Sequence, residues 1–363
     1  MTLQVPFNAL TLTDDAADVK AAIDRVVASG WYILGPEVEA FEQEFAAASR
    51  VPHAVGVGNG TDAIFLVFRA LEIGPGDEVI TSPLSAAFSA LAILMAGARP
   101  VFADIDPGRL TLDPQAVEAA ITPRTRAIMP VHLYGQPADM TAFEAIAARH
   151  NLALVEDAAQ SQLATCDGRP IGSFGIAAAT SFYPTKNLGA LGDGGAVLTR
   201  DAAFAARLKR LRNGGQSKRY HHDEAGVNTR LDEMQAAILR ARLCRLPGWT
   251  GRRRAIGARY RAALASSGVR VPREFDAGHV YHLFPLLTGA RDRFQAHMTA
   301  AGIETLIHYP IPIPRQPSMQ FASPAACPIA DRVCGEVVSL PMYPGLSDAA
   351  VDAVGAAAAA FRS

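Results

Sequence analysis

Seven short apolar runs recur between residues 53 and 200, and stretches with helical spacing of apolar residues lie between most of them. This alternation is typical of βαβ units around a mostly parallel sheet. The predicted strands are 53–58, 78–83, 99–105, 126–133, 152–158, 178–184 and 195–200. The predicted helices are 61–71, 85–96, 113–120, 139–150, 201–212 and 231–246. The pattern therefore predicts a large α/β domain with helices on both sides of a mostly parallel seven-stranded sheet.

The pattern changes near residue 245, where we place a domain boundary. Residues 1–245 then form the large domain and residues 246–363 a smaller C-terminal α/β domain. Within the latter, 310–317 is too rich in proline for a helix or an inner strand, and the Ala-rich stretch 349–360 predicts a helix. The segment 85–96 has no polar face and is predicted to be buried on several sides.

Composition narrows the class of protein. Half of the 363 residues are hydrophobic and 19% are charged, which allows a sizeable core. The net charge of −1 gives no support for nucleic acid or a membrane as a partner, and no apolar run reaches the ~18 residues of a membrane span. The N-terminus lacks the pattern of a secretion signal, and the cysteines at 166, 244, 327 and 334 form no CxxC pair. We expect a cytoplasmic protein with reduced, buried thiols.

A glycine-rich turn, GVGNGTDA over 56–63, joins a predicted strand to a predicted helix. Glycine lets the backbone approach a ligand, and the first N–H groups of a helix attract anions such as phosphate. This turn is therefore a candidate phosphate site. The alternative is an ordinary helix start, capped by Thr61 or Asp62.

The segment VEDAAQS, 155–161, places an acidic residue at the end of an apolar parallel strand, where α/β proteins bind ligands. Asp157 could hold a charged ring nitrogen, and Gln160 could bind a phenolic oxygen. The alternative is that Glu156 and Asp157 cap a helix.

Lys186 lies in an apolar, glycine-flanked stretch over 181–197. Burial lowers the pKa of a lysine and suits it to forming a Schiff base, although an exposed surface lysine is the alternative. A phosphate cradle, an acid for a pyridinium nitrogen and a Schiff-base lysine are together what pyridoxal 5'-phosphate requires.

The sequence resembles the sugar aminotransferases of the DegT/DnrJ/EryC/StrS family over nearly its whole length. The resemblance rests on the blocks 30–46, 58–63, 155–161, 181–196, 226–239, 308–314 and 339–344. It implies the fold type I of pyridoxal-phosphate transferases. It also implies that Lys186 is the Schiff-base lysine, that Asp157 pairs with the ring nitrogen and that Gln160 contacts the ring oxygen.

The resemblance further implies a phosphate site built by Gly60, Thr61, Asp62 and Ser181, together with Asn228 from a neighbouring subunit. An obligate homodimer with shared active sites follows. The alternative for Asn228 is a loop residue before a helix that Thr229 or Asp232 caps.

Three positions depart from the family pattern. Ala86 stands where the family has an aromatic residue that stacks on the cofactor, and Phe88 is the nearest substitute, with a buried core position as the alternative. Gln162 and Pro314 stand where the family often has histidine, on the sugar side of the site.

The loop 219–226 is similar to that of enzymes acting on 3-keto nucleotide-linked 6-deoxysugars. The candidate substrate residues are Tyr183, Tyr220, His221, His222, His308 and Tyr309, each with an ordinary packing or surface role as the alternative. Paired histidines without a third ligand predict no metal.

The resemblance predicts amino transfer, with L-glutamate as donor, to a nucleotide-linked keto-deoxysugar, with the 3-keto position favoured. The alternatives are a 4-keto-sugar aminotransferase and a cofactor-binding regulatory protein without turnover.

Overall fold

The structure is a computed structural model that describes residues 4–11, 14–319 and 326–362. The strands are β1 (His53–Val57), β2 (Glu78–Thr81), β3 (Arg99–Phe102), β4 (Thr125–Met129), β5 (Ala153–Asp157), β6 (Thr165–Cys166), β7 (Arg169–Pro170), β8 (Ala177–Ser181), β9 (Gly195–Thr199), β10 (Gln216–Lys218), β11 (His221–His222), β12 (Phe284–Leu287) and β13 (Val337–Leu340). The α-helices are α1 (Ala16–Ser29), α2 (Pro36–Ala48), α3 (Gly60–Ala70), α4 (Phe88–Met95), α5 (Pro114–Ala120), α6 (Met140–His150), α7 (Ala202–Leu211), α8 (Glu233–Leu243), α9 (Leu246–Leu264), α10 (Arg291–Ala300), α11 (Pro328–Glu336) and α12 (Asp348–Ala360).

Seven strands form one sheet in the order β1-β9-β8-β5-β4-β2-β3. Neighbouring strands from β3 to β8 pair in parallel, whereas β9 runs antiparallel to both β8 and β1. The prediction of a mostly parallel seven-stranded sheet is confirmed. Every predicted strand was extended one to four residues too far at its carboxyl end. There the chain leaves the sheet for the loops that build the candidate site.

Two hydrophobic layers enclose this sheet, because alternate strand residues point to opposite faces. Leu154 of β5 packs into the layer that contains Phe41 of α2 and Phe143 of α6. Its neighbour Val155 packs into the opposite layer, with Leu66 of α3 and Ile93 of α4. By the same alternation, Glu156 lies on the face of Leu154, and Asp157 lies on the face of Val155.

Helix α4 differs from the expectation for residues 85–96. Phe88 and Met95 are 62% and 51% exposed, whereas Ser89 and Ile93 are buried. Residues seven apart share one helix face, so Phe88 and Met95 mark an apolar stripe open to solvent. The prediction of burial on several sides is wrong for this stripe in the single chain.

Helix α9 begins at Leu246, directly after the proposed domain boundary, and the C-terminal elements share a core of their own that includes Tyr260, Phe284 and Val354. The division into two domains stays a prediction, and its outermost residues, 1–3 and 363, lie outside the described residues. The N-terminal segment joins the C-terminal part through a bridge between Val5 and Ile303.

Several smaller expectations concern single segments. Residues 313–315 and 317–319 of the proline-rich stretch form only 3₁₀ turns, as its composition predicts. Helix α12 agrees with the predicted C-terminal helix.

All four cysteines are free, but Cys244 is exposed, so the expectation of four buried thiols is wrong for that residue. Within the described ranges, every helix is too short or too polar to cross a bilayer.

Candidate active site

Asp157 ends β5 at the carboxyl edge of the sheet, and its side chain is buried. Its Oδ2 accepts a 2.6 Å hydrogen bond from the Ser89 hydroxyl, and its Oδ1 accepts a 3.1 Å bond from the backbone N–H of Ala159. Turns rather than a helix follow the strand, so the interpretation of Asp157 as a helix cap is wrong. Its carboxylate is instead held by donors on both oxygens.

Glu156 points to the opposite face and is fully buried there. Its carboxylate accepts hydrogen bonds from the backbone N–H groups of Gly172 at 3.0 Å and Phe174 at 3.2 Å. The ring of His132 lies 3.3 Å away. Glu156 therefore holds the loop before β8 and does not cap a helix.

Lys186 lies between β8 and β9 and is half-buried, so it is not the exposed surface lysine of the alternative. Its backbone N–H donates to the carbonyl of Tyr183 at 2.8 Å. Burial lowers the pKa of its amine to about 8, and the charge of nearby Asp157 only partly opposes this shift. The amine can therefore lose its proton near neutral pH.

Two residues that the sequence did not single out hold the segment of Lys186. Asn187 is buried and donates through Nδ2 to the carbonyl of Val280 at 2.9 Å, which leaves Oδ1 to accept from Nδ1 of His282 at 3.3 Å. Burial, followed by the charge of Lys186, lowers the pKa of His282 well below its usual range. His282 is thus a neutral group beside the lysine.

Gln160 connects three segments around the site. Its Oε1 accepts a 2.6 Å bond from the backbone N–H of Tyr134, and its Nε2 donates to the Tyr309 hydroxyl at 3.2 Å. The hydroxyl of Tyr134 donates in turn to the carbonyl of His308. Burial raises the pKa of Tyr309 to about 12 and lowers that of His308 to about 4. The structure therefore brings Gln160, His308 and Tyr309 together.

Helix α3 begins at Gly60 beside Ser181. A Cβ on Gly60 would lie 2.7 Å from the Cβ of Ser181, so only glycine permits this approach. Asn59 caps the helix by accepting from the N–H of Asp62 at 2.9 Å. The alternative of a cap by Thr61 or Asp62 is wrong. The first N–H groups of α3 and the Ser181 hydroxyl converge at one edge.

The Asp62 carboxylate anchors the segment that carries Asn228. Thr229 donates to it through Oγ1 at 2.6 Å, so Thr229 does not act as a helix cap. Asp232 occupies the N-cap position of α8 but makes no capping side-chain bond. Asn228 itself is exposed, and its backbone pairs with that of Asn213.

Glu233 is another residue that the sequence analysis missed. Although it begins α8, its buried carboxylate accepts from the backbone N–H groups of Gly35, Glu37 and Val38, each at 2.8 Å. It therefore caps α2 across almost 200 residues of chain. A sequence separation of this size carries no local signal.

The remaining candidates differ from one another in exposure and in hydrogen bonding. Phe88 is exposed, so the alternative of a core phenylalanine is wrong. Gln162 is buried and donates to the carbonyl of Ser181 at 2.6 Å, while its Oε1 has no hydrogen-bond partner within the described residues. Ala86 is half-buried and Pro314 is buried in a 3₁₀ turn.

Among the predicted substrate residues, Tyr183 is half exposed. The three predicted substrate residues of the loop 219–226 lie on or beside the β10–β11 pair: Tyr220, His221 and His222. Tyr220 is 77% exposed, and His222 contacts the carbonyl of Gly214 at 2.7 Å. Within residues 4–11, 14–319 and 326–362, no three His, Cys, Asp or Glu side chains are grouped to hold a metal ion. The absence of a metal stays a prediction.

These residues suit pyridoxal phosphate. The glycine cradle beside Ser181, a helix N-terminus that favours anions, a buried carboxylate and an amine with a lowered pKa face one edge of the sheet. This arrangement can hold a phosphate and a charged ring nitrogen next to a lysine that exchanges its proton.

Comparison with known proteins agrees with this geometry. The chain is 49% identical over 351 residues to the dTDP-3-amino-3,4,6-trideoxy-alpha-D-glucose transaminase of Streptomyces venezuelae, an alignment that covers 95% of this chain and 93% of the relative. The crystal structure of S. venezuelae DesV in complex with a ketimine intermediate superposes with a TM-score of 0.96 at 47% identity, covering 99% of this chain and all of that one.

A more distant structure, ntda from Bacillus subtilis with the bound cofactor pmp, superposes with a TM-score of 0.92 at 29% identity. It covers 99% of this chain and 85% of its own. The sequence profile of the DegT/DnrJ/EryC1/StrS aminotransferases matches residues 13–359. This chain therefore belongs to the DegT/DnrJ/EryC1/StrS aminotransferase family and has the fold of type I pyridoxal-phosphate transferases.

Proposed function

We propose that this protein is a pyridoxal-phosphate-dependent aminotransferase that moves the amino group of L-glutamate to the 3-keto carbon of a nucleotide-linked deoxysugar. The observation that carries the proposal is the half-buried Lys186, whose amine has a pKa lowered to about 8, close to the buried carboxylate of Asp157. An amine in this state binds an aldehyde and exchanges protons near neutral pH.

The proposed cofactor site uses groups from four loops. The backbone N–H groups of Gly60 and Thr61 at the start of α3, together with Ser181, bind the phosphate, and Gln160 contacts the ring oxygen. Asp62 lies beside them, but its N–H is already donated to Asn59. Asp157 binds the ring nitrogen, and Phe88 stacks on the ring in place of the aromatic residue absent at Ala86. When bound, pyridoxal phosphate supplies an electron sink that stabilises negative charge on the substrate carbon.

Lys186 would hold the cofactor aldehyde through its Nζ, and once a substrate amine takes that place, the freed Nζ would hold and move the proton. His282 supports this role, because burial and the lysine charge hold its pKa well below the usual range. A neutral histidine beside the lysine adds no positive charge that would repel the ammonium form.

The acceptor site is proposed at Tyr183, His308 and Tyr309, with Tyr220, His221 and His222 on the exposed loop. The loop also carries Lys218 and Arg219, and positive charge favours the diphosphate of a nucleotide sugar. The relative from Streptomyces venezuelae is named for a 3-amino sugar. We therefore prefer a 3-keto-sugar aminotransferase to a 4-keto-sugar aminotransferase. We also prefer an enzyme to a regulatory protein without turnover.

We also propose a homodimer in which Asn228 reaches the phosphate site of the partner subunit. Asn228 is exposed in the single chain, and the nearby segment 31–33 exposes Trp31 and Tyr32. Phe88 and Met95 on α4 are exposed as well, and apolar side chains of this kind are what a second copy would cover.

A cytoplasmic location is proposed as well, because four free cysteines suit a reducing compartment. Burial raises the pKa of Cys327 and Cys334 to about 12, which keeps these two thiols unreactive. The absence of nucleic-acid and membrane partners stays a prediction from the balanced charge.

The glutamate half-reaction tests the activity. Purified protein loaded with pyridoxal phosphate and mixed with L-glutamate should change its absorbance to that of the pyridoxamine form, and a panel of nucleotide-linked 3-keto and 4-keto sugars should reverse the change selectively. Lys186→Ala should lose the reaction. Cofactor binding without any spectral response to glutamate would support the regulatory alternative instead.

Mixed dimers test the shared site. Lys186→Ala and Asn228→Ala chains, each nearly inactive alone, should regain about a quarter of wild-type activity after random re-association, because each mixed dimer contains one intact site. The matched control mixes Lys186→Ala with Asp157→Asn, whose residues serve the same site. Recovery in the control, or none in the test pair, would contradict the shared site.

A further inference from the structure

Two buried serines near Asp157 have no role in the function proposed above. Ser89, in the first turn of α4, places its Oγ 2.6 Å from Oδ2 of Asp157. Ser85, four residues earlier, places its Oγ 3.4 Å from that of Ser89. Both serines are at most 5% exposed, so water does not readily replace these contacts.

The direction of these hydrogen bonds follows from the number of protons. A serine hydroxyl has one hydrogen to donate, and an ionised carboxylate can only accept. Ser89 therefore gives its hydrogen to Asp157 and accepts from Ser85. The result is a chain of two hydroxyls that ends on the carboxylate, and each bond strengthens the next.

The chain matters because the other carboxylate oxygen is also held. The backbone N–H of Ala159 donates to Oδ1 at 3.1 Å. With one donor on each oxygen, rotation of the Asp157 carboxylate breaks both bonds. Without Ser89, one oxygen of a buried carboxylate loses its donor, which costs free energy and frees the group to turn.

We propose that Ser89, supported by Ser85, is a positioning residue that holds the Asp157 carboxylate in the orientation in which it binds the ring nitrogen of pyridoxal phosphate. The proposal rests on the role of Asp157 given under the proposed function. Ser89 itself does not touch the reacting atoms and acts through Asp157.

Cofactor affinity is the readout that tests this role apart from turnover. Pyridoxal phosphate is titrated into the cofactor-free full-length chain and followed by absorbance. Ser89→Ala should raise the dissociation constant about tenfold, and Ser85→Ala about two- to threefold, since its bond is longer and one step removed. Ser89→Thr keeps the hydroxyl and should restore most of the affinity.

Ser82→Ala is the matched control, because Ser82 is a buried serine of the same segment whose hydroxyl bonds only within its own turn, to Leu84. It should leave the affinity within about twofold of wild type. Thermal denaturation of every variant separates loss of folding from loss of binding. An unchanged dissociation constant in folded Ser89→Ala would overturn the proposal.

A double-mutant cycle with Asp157→Asn shows whether Ser89 acts through Asp157. In the Asp157→Asn background, Ser89→Ala should change the affinity less than twofold. A full tenfold loss in that background would mean that Ser89 affects the site by packing alone. If Asp157→Asn by itself leaves affinity unchanged, the proposed role of Asp157 fails, and this outcome differs from a failure of Ser89.

Discussion

Asp157 and Glu156 are neighbours on β5, yet strand alternation sends their carboxylates to opposite faces of the sheet, where they do unlike work. Both are buried and both accept several hydrogen bonds. Their partners differ in kind. Glu156 binds groups that belong to the architecture, whereas Asp157 faces the loops that converge on Lys186.

The Glu156 face is closed on itself. The N–H of Ala138 donates to Nδ1 of His132 at 3.1 Å, so the remaining ring proton lies on Nε2 and points to Glu156. Backbone N–H groups from the loop before β8 donate the other hydrogen bonds to the Glu156 carboxylate. A carboxylate with this many fixed donors has little capacity for a ligand and stabilises the fold instead.

The Asp157 face is open by comparison. Asp157 has one donor on each oxygen, and the nearby amine of Lys186 has a pKa lowered to about 8 because burial disfavours its charge. A buried cation that is poorly compensated destabilises the folded chain. The difference teaches that one strand holds a fully satisfied carboxylate on one face and, on the other, the carboxylate that we propose for the active site.

Substituting the two carboxylates separately should split these roles. Asp157→Asn should lower the rate of the glutamate half-reaction by roughly 10²–10³-fold, because the ring nitrogen loses its charged partner. Glu156→Gln should lower the free energy of unfolding by about 2 kcal/mol, because the amide mismatches several buried donors. Stopped-flow absorbance and urea denaturation measure the two effects.

As a control, the stability of Asp157→Asn and the activity of Glu156→Gln are measured as well. Asp157→Asn should keep most of its stability, and Glu156→Gln should keep near wild-type activity per folded molecule. If Glu156→Gln loses activity as severely as Asp157→Asn at full folding, the two faces are not separate in function.

A smaller effect sharpens the comparison from the side of the lysine. In the cofactor-free protein, Lys186→Met should raise the free energy of unfolding at pH 7 by on the order of 1–3 kcal/mol, because it removes a buried cation. The pKa of Lys186 is lowered from 10.5 to about 8, so the unfolded chain binds more protons between these values. Wild-type stability therefore rises with pH across this range.

The stabilising effect of Lys186→Met should consequently be complete below about pH 8 and shrink as the pH approaches 10.5. Urea denaturation at pH 7 and pH 10 measures this change, and Lys20→Met, at an exposed lysine of α1, is the control for loss of a charge. A gain that is constant with pH would show that packing, rather than ionisation, sets the stability of the variant.

Sequence periodicity predicted the seven strands of the main sheet and six of the eight helices within residues 16–243 well, because strand and helix patterns depend on nearest neighbours. The strand ends were less accurate: the predicted strand 126–133 is regular only as far as Met129, and beyond it Val131 makes an isolated bridge with Asp157. Burial of the following loop makes it look like strand in the sequence. Helices α1 and α2 were not predicted, although the family resemblance covered residues 30–46.

The candidate site was predicted in part, as the secondary structure was. Lys186, Asp157, Gln160 and Gly60 do lie at the same edge of the sheet, yet Ser89, Asn187, His282 and Glu233 were missed. Each of these contacts a partner far away in the chain. Ser89 bonds to Asp157. Asn187 bonds to Val280 and His282, and Glu233 bonds to the start of α2. Such contacts leave no periodic trace in one sequence. The assignments of individual residues to cofactor and sugar stay predictions.

The amino-acid sequence alone determined the seven strands of the main sheet, the fold class, the resemblance to the family and the chemical types available at the sheet edge. These properties are local, set by the spacing of apolar residues and by short motifs. Only the tertiary structure decided that Glu156 supports a loop, that Glu233 caps α2 and that burial lowers the pKa of Lys186. Burial and hydrogen-bond partners arise when distant segments meet, and that meeting is where carboxylates and amines acquire their roles.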